Sequence, residues 1–388
     1  MTAAPGEILQ AIREVYGWPD GLFLPLHAPV FAGNESAYVQ DTITSTFVSS
    51  VGRYVDDFEA MLRDITGARH AIAMANGTSA LQIALVLAGA GAGDLVITQS
   101  LSFAATSNAI VHAGARPVFV DVDRDTLGLS PEALAAWLEQ HCEMAAGQCR
   151  HVASGKRIAA CLPMHSFGHP CHLDGIVATC RKWQIPLVED AAEALGSSYH
   201  GQPCGTFGLM GTLSFNGNKI CTTGGGGAII TNDAGIGRRA KHLTTTAKVP
   251  HRWRFYHDET GYNLRMPNLN AALGCAQLER LPEFVAFKRA LAARYRDRFA
   301  AMGVPLVEEP AGTQSNYWLC AILVPDLAAR EDLLALTNDN GVMTRPAWEP
   351  SHTLPMYRND VRGPLPVTSE MVDRLVNIPS GFRSGPGA

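Results

Sequence analysis

Short apolar runs alternate with amphipathic stretches from residue 70 to residue 231. Residues 70–75 (HAIAMA), 95–98, 117–121, 158–163, 186–189 and 228–231 read as buried strands, because they are brief, continuous and rich in Val, Ile, Leu and Ala. Residues 78–87 (TSALQIALVL), 132–141 and 173–183 read as helices between them, the first entered through a tight Asn76-Gly77 turn. Strands separated by helices form βαβ units, which require a parallel sheet covered on both faces. In such sheets ligands sit at the carboxyl ends of the strands. Beyond Pro282 the pattern changes to a long charged helix at 283–302, strands at 304–307 and 318–324, and a helix at 330–340. The expected fold is α/β. Residues 25–281 form a large domain, a mostly parallel sheet sandwiched by helices. Residues 282–388 form a smaller α+β domain, and residues 1–24 an N-terminal segment. The last residues, from Ser380, read as frayed.

With 388 residues, 47% of them hydrophobic and 17% charged, the chain has ample material for a core and is not a disordered one. The net charge of −5 argues against a nucleic-acid groove or a membrane-surface patch. No apolar run reaches the length of a membrane span, and the start of the chain lacks a basic region followed by an apolar one, so a cytoplasmic enzyme is expected. Nine scattered cysteines without a C-x-x-C pair do not make a disulfide scaffold. His165, His169, Cys171 and His172 lie within eight residues, but with no second ligand cluster at zinc spacing they read as lining a turn, and no metal is expected.

Charge placement singles out one residue. Between Glu193 and Asp233 the only charged side chain is Lys219, set in the tract S214-F-N-G-N-K-I-C-T-T-G-G-G-G-A228. The other lysines (156, 182, 241, 248 and 288) lie beside or close to arginines and read as solvated surface charges. A lone buried ammonium is costly unless paired or neutralised, and a desolvated lysine supplies the neutral, nucleophilic amine that Schiff-base chemistry needs. The bland alternative is a lysine snorkelling from a loop edge. The apolar run at 186–189 ends in E189-D-A-A-E193, which puts carboxylates at the carboxyl end of a buried strand. Asp190 could simply cap a helix. It could also hold a proton on a pyridine nitrogen, the partner that a Schiff-base lysine has in pyridoxal phosphate enzymes. Asn76-Gly77-Thr78-Ser79, between a strand and a helix, is a candidate anion site. No P-loop is present, and no dinucleotide fingerprint in its strand–turn–helix context, because Gly224–Gly227 precedes a strand.

In order along the chain, P25-L-H-A-P-V, F47-V-S-S-V-G-R-Y-V, N76-G-T-S-A-L, S102-F-A-A-T-S-N-A, E189-D-A-A-E-A-L-G, S214-F-N-G-N-K, G224-G-G-G-A-I-I-T, G261-Y-N-L-R-M-P-N-L-N-A-A and T344-R-P-A-W resemble the DegT/StrS family of sugar aminotransferases, pyridoxal phosphate enzymes of fold type I. The resemblance implies that Lys219 carries the cofactor and shuttles protons, with Asp190 facing the pyridine nitrogen. Phe103 stacks on the ring, while Gly77, Thr78, Ser79 and Ser214 hold the phosphate, and Glu193 lies beside cofactor or substrate. It implies a homodimer with a shared site, in which Asn263 reaches the neighbouring subunit's cofactor and Arg265 lies near the sugar nucleotide. Tyr317, Trp348 and His352 from the small domain would close over the sugar or base.

Two positions depart from the common family pattern. Gly224–Gly227 stands where G-E-G-G is usual, and Glu193 where His or Gln is frequent. With F-N-G-N-K these variants resemble the LegC-type branch, which implies transfer from L-glutamate to C4 of a UDP-linked 4-keto-6-deoxy amino sugar. Alternatives are a free higher-carbon keto acid sugar as acceptor, a sugar dehydratase of the same family (in which histidine replaces the lysine), a non-catalytic regulatory domain, and a nicotinamide oxidoreductase.

Overall fold

The computed structural model describes residues 3–19 and 21–383. Two four-stranded halves line up as one sheet in the order Val361–Arg362, Arg116–Val120, Leu95–Gln99, Ile158–Leu162, then Val188–Asp190, Met210–Ser214, Gly227–Thr231 and His70–Met74. Parallel bridges from Cys161 to Leu187 and from Met164 to Asp190 join the halves. Neighbours are parallel except around Gly227–Thr231, which runs antiparallel to both its partners. The strand read at 228–231 thus forms with reversed direction. A parallel return needs a crossover, usually a helix, and the preceding stretch is instead a loop that carries Lys219.

Side chains alternate across the sheet, so each strand feeds two cores. Ile72 and Met74 pack under the helices Gly77–Leu87, Ala104–His112 and Ala234–Thr244, together with Val96, Leu162 and Ile229. Ala71 and Ala73 face the opposite way, with Leu213 and Ile230, toward Arg53–Thr66 and Asn268–Glu279. Farther along that face Ile97, Val118 and Val120 pack against Pro131–His141 and Leu173–Lys182. Helix starts are written locally. The side chains of Asn76, Ser130, Asp233 and Asp326 each accept a first-turn N–H, and Pro131 occupies a first helical position.

Cys320–Leu323, Leu375–Ile378 and Arg345–Pro346 make a small antiparallel sheet backed by Leu281–Ala300 and Leu327–Asp339. Residues 304–307, expected as a strand, contribute only a single bridge from Leu306 to Ile322. The helix Pro5–Tyr16 buries Ile8, Ala11, Ile12 and Tyr16 against Leu291, Tyr295, Phe299 and Ile322. Residues before position 25 therefore share a core with the C-terminal part, while Val361–Arg362 crosses back to pair with Val118 and Phe119. A hairpin that the apolar pattern gave no sign of, Cys142–Ala145 with Gln148–His151, turns through Ala146 and Gly147, both at positive φ, the backbone that tight hairpins favour. No helix among the described residues is long and apolar enough to cross a membrane.

Two sequence readings are corrected by packing. Ser380 is not frayed but buried; its hydroxyl accepts from Cys320 N at 2.7 Å, and the next carbonyl, Gly381 O, accepts from the Tyr16 hydroxyl at 2.6 Å. Residues 384–388 lie outside the described residues. Lys288 is not a surface charge. It is 1% exposed and donates to the carbonyls of Tyr317, Trp318 and Ser380. Burial pushes its amine down to about 7, against an opposing pull from Cys320. The amine ties the 281–300 helix to the segment leading into Cys320–Leu323 and to the chain's end. Lys288→Met should leave these carbonyls unsatisfied and cost about 2 kcal/mol or more, read as a lower thermal midpoint than the wild type at pH 7.

Candidate active site

The carboxyl ends of the parallel strands meet at one cavity of about 300 Å³. Asn76, Gly77 and Thr78 enter it from the end of His70–Met74, Phe103 and Thr106 from beyond Leu95–Gln99, and Met164 from beyond Ile158–Leu162. Asp190 and Glu193 follow Val188–Asp190, and Ser214, Asn218 and Lys219 follow Met210–Ser214. Trp318 and Trp348 reach in from the C-terminal part.

The tract around Lys219 is a pinned loop. Phe215 N donates to Gly226 O at 2.9 Å and Thr223 N to Phe215 O at 3.0 Å, closing it at its base. Lys219 is not the lone ammonium that its sequence context suggests. Its Nζ lies 2.9 Å from Glu193 Oε1 and 4.0 Å from the centroid of the Trp318 ring. Sequence distance hid the pairing, because Glu193 is 26 residues upstream and enters from the neighbouring strand. Burial pushes the Glu193 carboxyl up, and Lys219 with the Phe167 N–H, 2.8 Å from Oε2, pulls it back.

Asp190 is 2% exposed. The Thr106 hydroxyl donates to Oδ2 at 2.8 Å and the Ala192 N–H to Oδ1 at 3.2 Å. Desolvation raises this carboxyl, while the two donors and the charge of Lys219 oppose the rise. Asp190 therefore lines the cavity as a rigidly aimed acceptor whose charge wants a cationic partner.

At Asn76 the side chain accepts from Ser79 N at 2.8 Å, which leaves the N–H groups of Gly77 and Thr78 without intrahelical acceptors. A Cβ at Gly77 would sit 2.9 Å from Ser214 Cβ, so only glycine lets the helix start abut the serine. First-turn N–H groups beside a hydroxyl are the donor set an anion requires. Phosphate donors, a buried carboxylate for a pyridine nitrogen and a lysine amine in one cavity fit pyridoxal phosphate.

Other expected residues stand apart. Ser79 does not line the cavity; its N–H completes the Asn76 cap. Asn263 and Arg265 do not line it either; the Arg265 guanidinium donates to Asn263 Oδ1 at 3.0 Å, and the Arg265 backbone bridges Met74 at the edge of the sheet. Tyr317 sits at φ 46° with its ring 5.1 Å from His169, so its neighbour Trp318 faces the cavity instead. His352 holds Ser100 Oγ through Nδ1 at 2.7 Å outside the lining, whereas Trp348 stacks on Phe167 and does line it. Gly225 lines the cavity with open space where a Cβ would be. Thr106 and Trp318 were missed by sequence reasoning. Thr106 lies three residues after Phe103 in the first turn of a helix, the one hint available; Trp318 gave none. The four clustered His and Cys side chains have separate partners, although Cys171 N donates to His165 Nδ1 at 3.1 Å. His165 goes to Glu189, Cys171 to Met164 O and His172 to Asp125, while His169 lies buried beside Tyr317.

Residues 30–384 match the DegT/DnrJ/EryC1/StrS aminotransferase family. The GDP-perosamine synthase of Escherichia coli O157:H7 is 35% identical over 358 residues, covering 92% of this chain and 93% of its own. DesI, solved in the presence of its TDP-sugar product, superposes with a TM-score of 0.80 at 28% identity, over 97% of this chain and 93% of its own. Spr1654 from Streptococcus pneumoniae, solved in its PLP form, superposes with a TM-score of 0.82 over 94% and 95%; at 22% identity that likeness shows the fold alone. The cavity's chemistry and these matches agree: the chain belongs to the DegT/DnrJ/EryC1/StrS family and is a pyridoxal phosphate-dependent sugar aminotransferase.

Proposed function

We propose that this enzyme moves an amino group from L-glutamate to the C4 keto carbon of a nucleoside diphosphate-linked 4-keto-6-deoxy sugar, as a cytoplasmic homodimer with a shared site. The observation that carries the reading is the convergence of Lys219, Asp190 and the Gly77 helix start on one cavity. The GDP-perosamine synthase relative supports a GDP-linked acceptor; the F-N-G-N-K and Gly224–Gly227 motifs support a UDP-linked amino sugar. Nine free, buried cysteines suit a reducing compartment.

Pyridoxal phosphate, when bound, supplies the carbonyl that exchanges for the amino group and a ring that delocalises the electron pair left at the reacting carbon. Gly77 and Thr78 N–H groups with the Ser214 hydroxyl hold its phosphate, and Ser79 supports them by fixing the Asn76 cap. Phe103, on the cavity lining, would pack on the ring. Asp190, aimed by Thr106, keeps a proton on the ring nitrogen. Lys219 would anchor the cofactor; its freed Nζ would pass the proton from the donor's Cα to the cofactor's carbon in the first half-reaction and from that carbon to the sugar's C4 in the second. Glu193 holds that amine inside the cavity. Trp348 would bound the sugar from the cavity wall, with His352 and Tyr317 outside the lining, held by Ser100 and beside His169.

Asn263 and Arg265 support a shared site, because both lie outside their own chain's cavity. Exposed Phe47, Val51, Trp253 and Phe255, at 56%, 67%, 70% and 83%, support a second copy covering apolar surface.

The primary experiment is the visible spectrum of the protein with pyridoxal phosphate, before and after L-glutamate without acceptor. Loss of the yellow band is expected, and a band unchanged by glutamate would remove the donor. GDP- and UDP-linked keto sugars offered next should separate the two acceptors by which one restores the band. Lys219→Ala should abolish both half-reactions with the circular dichroism unchanged. Asp190→Asn should lower activity far more than cofactor affinity; equal losses would make it structural. Mixing inactive Lys219→Ala with inactive Asn263→Ala should restore part of the activity, since one site of each mixed dimer is intact. No restoration would count against the shared site.

A further inference from the structure

We propose that Glu193 and Trp318 form a two-sided seat for the ammonium of Lys219, occupied whenever that amine is free, and that Trp318 is thereby a positioning residue of the transamination. The proposal rests on the reading of Lys219 as the cofactor-bearing lysine.

The two walls touch the same atom from different directions. Glu193 Oε1 is 2.9 Å from Nζ, an ion-pair distance, and the indole centroid is 4.0 Å away, close enough for a cation–π contact. Neither wall is free to move. The second oxygen of Glu193 accepts from Phe167 N at 2.8 Å, so the carboxylate cannot swing away. The indole N–H donates to Asn218 O at 2.7 Å, which ties the ring to the residue preceding the lysine. One side chain spaces the walls: Asn316 donates its amide to Glu193 O at 2.8 Å and to Leu195 O at 2.9 Å, and its Oδ1 accepts from Trp318 N at 2.8 Å. Room for Asn316 depends on Gly168, at φ 95°, where a Cβ would overlap Oδ1 at 1.9 Å.

Such a seat answers a need of the chemistry. The lysine leaves the cofactor in the first half-reaction and rejoins it only at the end of the second, so between the two its long, flexible stem needs a place to rest. A carboxylate and an aromatic face favour the protonated amine, so the seat retains the proton taken from the donor until it is delivered. The other ionisable groups facing Lys219 are Asp190, in the same cavity, and His27, whose imidazole is pushed well below its ordinary range by burial, then by Lys288 and Lys219. His27 therefore adds no competing charge, and Asp190 is engaged by Thr106 and Ala192.

The test uses holoenzyme in which L-glutamate without acceptor has freed the lysine. Acetylation of Lys219 by acetic anhydride at pH 8 is followed by peptide mass. Glu193→Gln should acetylate about tenfold faster than wild type, because the ammonium loses its charged hydrogen-bond partner, and Trp318→Leu about threefold faster, with Trp318→Phe close to wild type because the aromatic face remains. In steady state Trp318→Leu should lower kcat with KM for glutamate within twofold, and Trp318→Phe should recover most of it. Wild-type acetylation rates in both Glu193→Gln and Trp318→Leu would overturn the seat. Should Glu193→Gln fail to fold, the Leu and Phe variants decide alone: equal rates in the two overturn it. Borohydride reduction of resting enzyme, with the cofactor mapped to a residue other than Lys219, would instead overturn the functional reading.

Discussion

The active centre depends on a buried ion pair. Lys219 and Glu193 are 11% and 1% exposed as side chains, and both have left water for a place at the carboxyl edge of the sheet. Desolvating two charges is tolerated only with good geometry and with the remaining polar atoms satisfied. The structure meets that condition through the Phe167 N–H on Glu193, the Asn316 bridge and the Trp318 face. Much of the surrounding architecture serves the same requirement. The loop from Phe215 to Gly226 is closed at its base, and the C-terminal part is drawn over the sheet so that residues 316–318 can reach it.

The same economy explains the other side of the cavity. Asp190 and Glu193 follow one strand and are three residues apart, yet they point to different partners, Thr106 and Lys219. A pair of carboxylates this close would repel if both were free. Giving each its own donors leaves Asp190 aimed into the cavity and Glu193 paired with the Lys219 amine. Gly77 contributes by absence: with no Cβ, the helix start and Ser214 come together at the cavity wall.

Much of the fold was legible because its signals are local. The runs at 70–75, 95–98, 117–121 and 158–163 became strands within a residue or two, since a buried parallel strand must be continuously apolar. Asn76, Asp233 and Asp326 mark helix starts by a hydrogen bond spanning only two or three residues. Lys219 stood out because a lone charge is rare in an apolar tract, and Asp190 and Glu193 because they follow the apolar run at 186–189. The strand at 304–307 failed because its pattern fits a strand that has no full partner, and only Leu306 finds one. Lys288 misled because its neighbours in sequence, Arg289 and the charged helix around it, say nothing about the carbonyls that meet it from residues 317, 318 and 380.

By itself, then, the sequence determined the alternation of strands and helices, the glycine at the helix start after Asn76 and the identity of the charged groups that line the cavity. Each follows from interactions within a turn or a strand. Only the tertiary structure decided that Lys219 is paired, that Trp318 rather than Tyr317 faces the cavity, that the 227–231 strand is antiparallel, and that the N-terminal helix completes the C-terminal core. Those outcomes depend on which distant surfaces meet when apolar area is buried, and contacts across 26 to more than 300 residues leave no periodicity for a sequence to display.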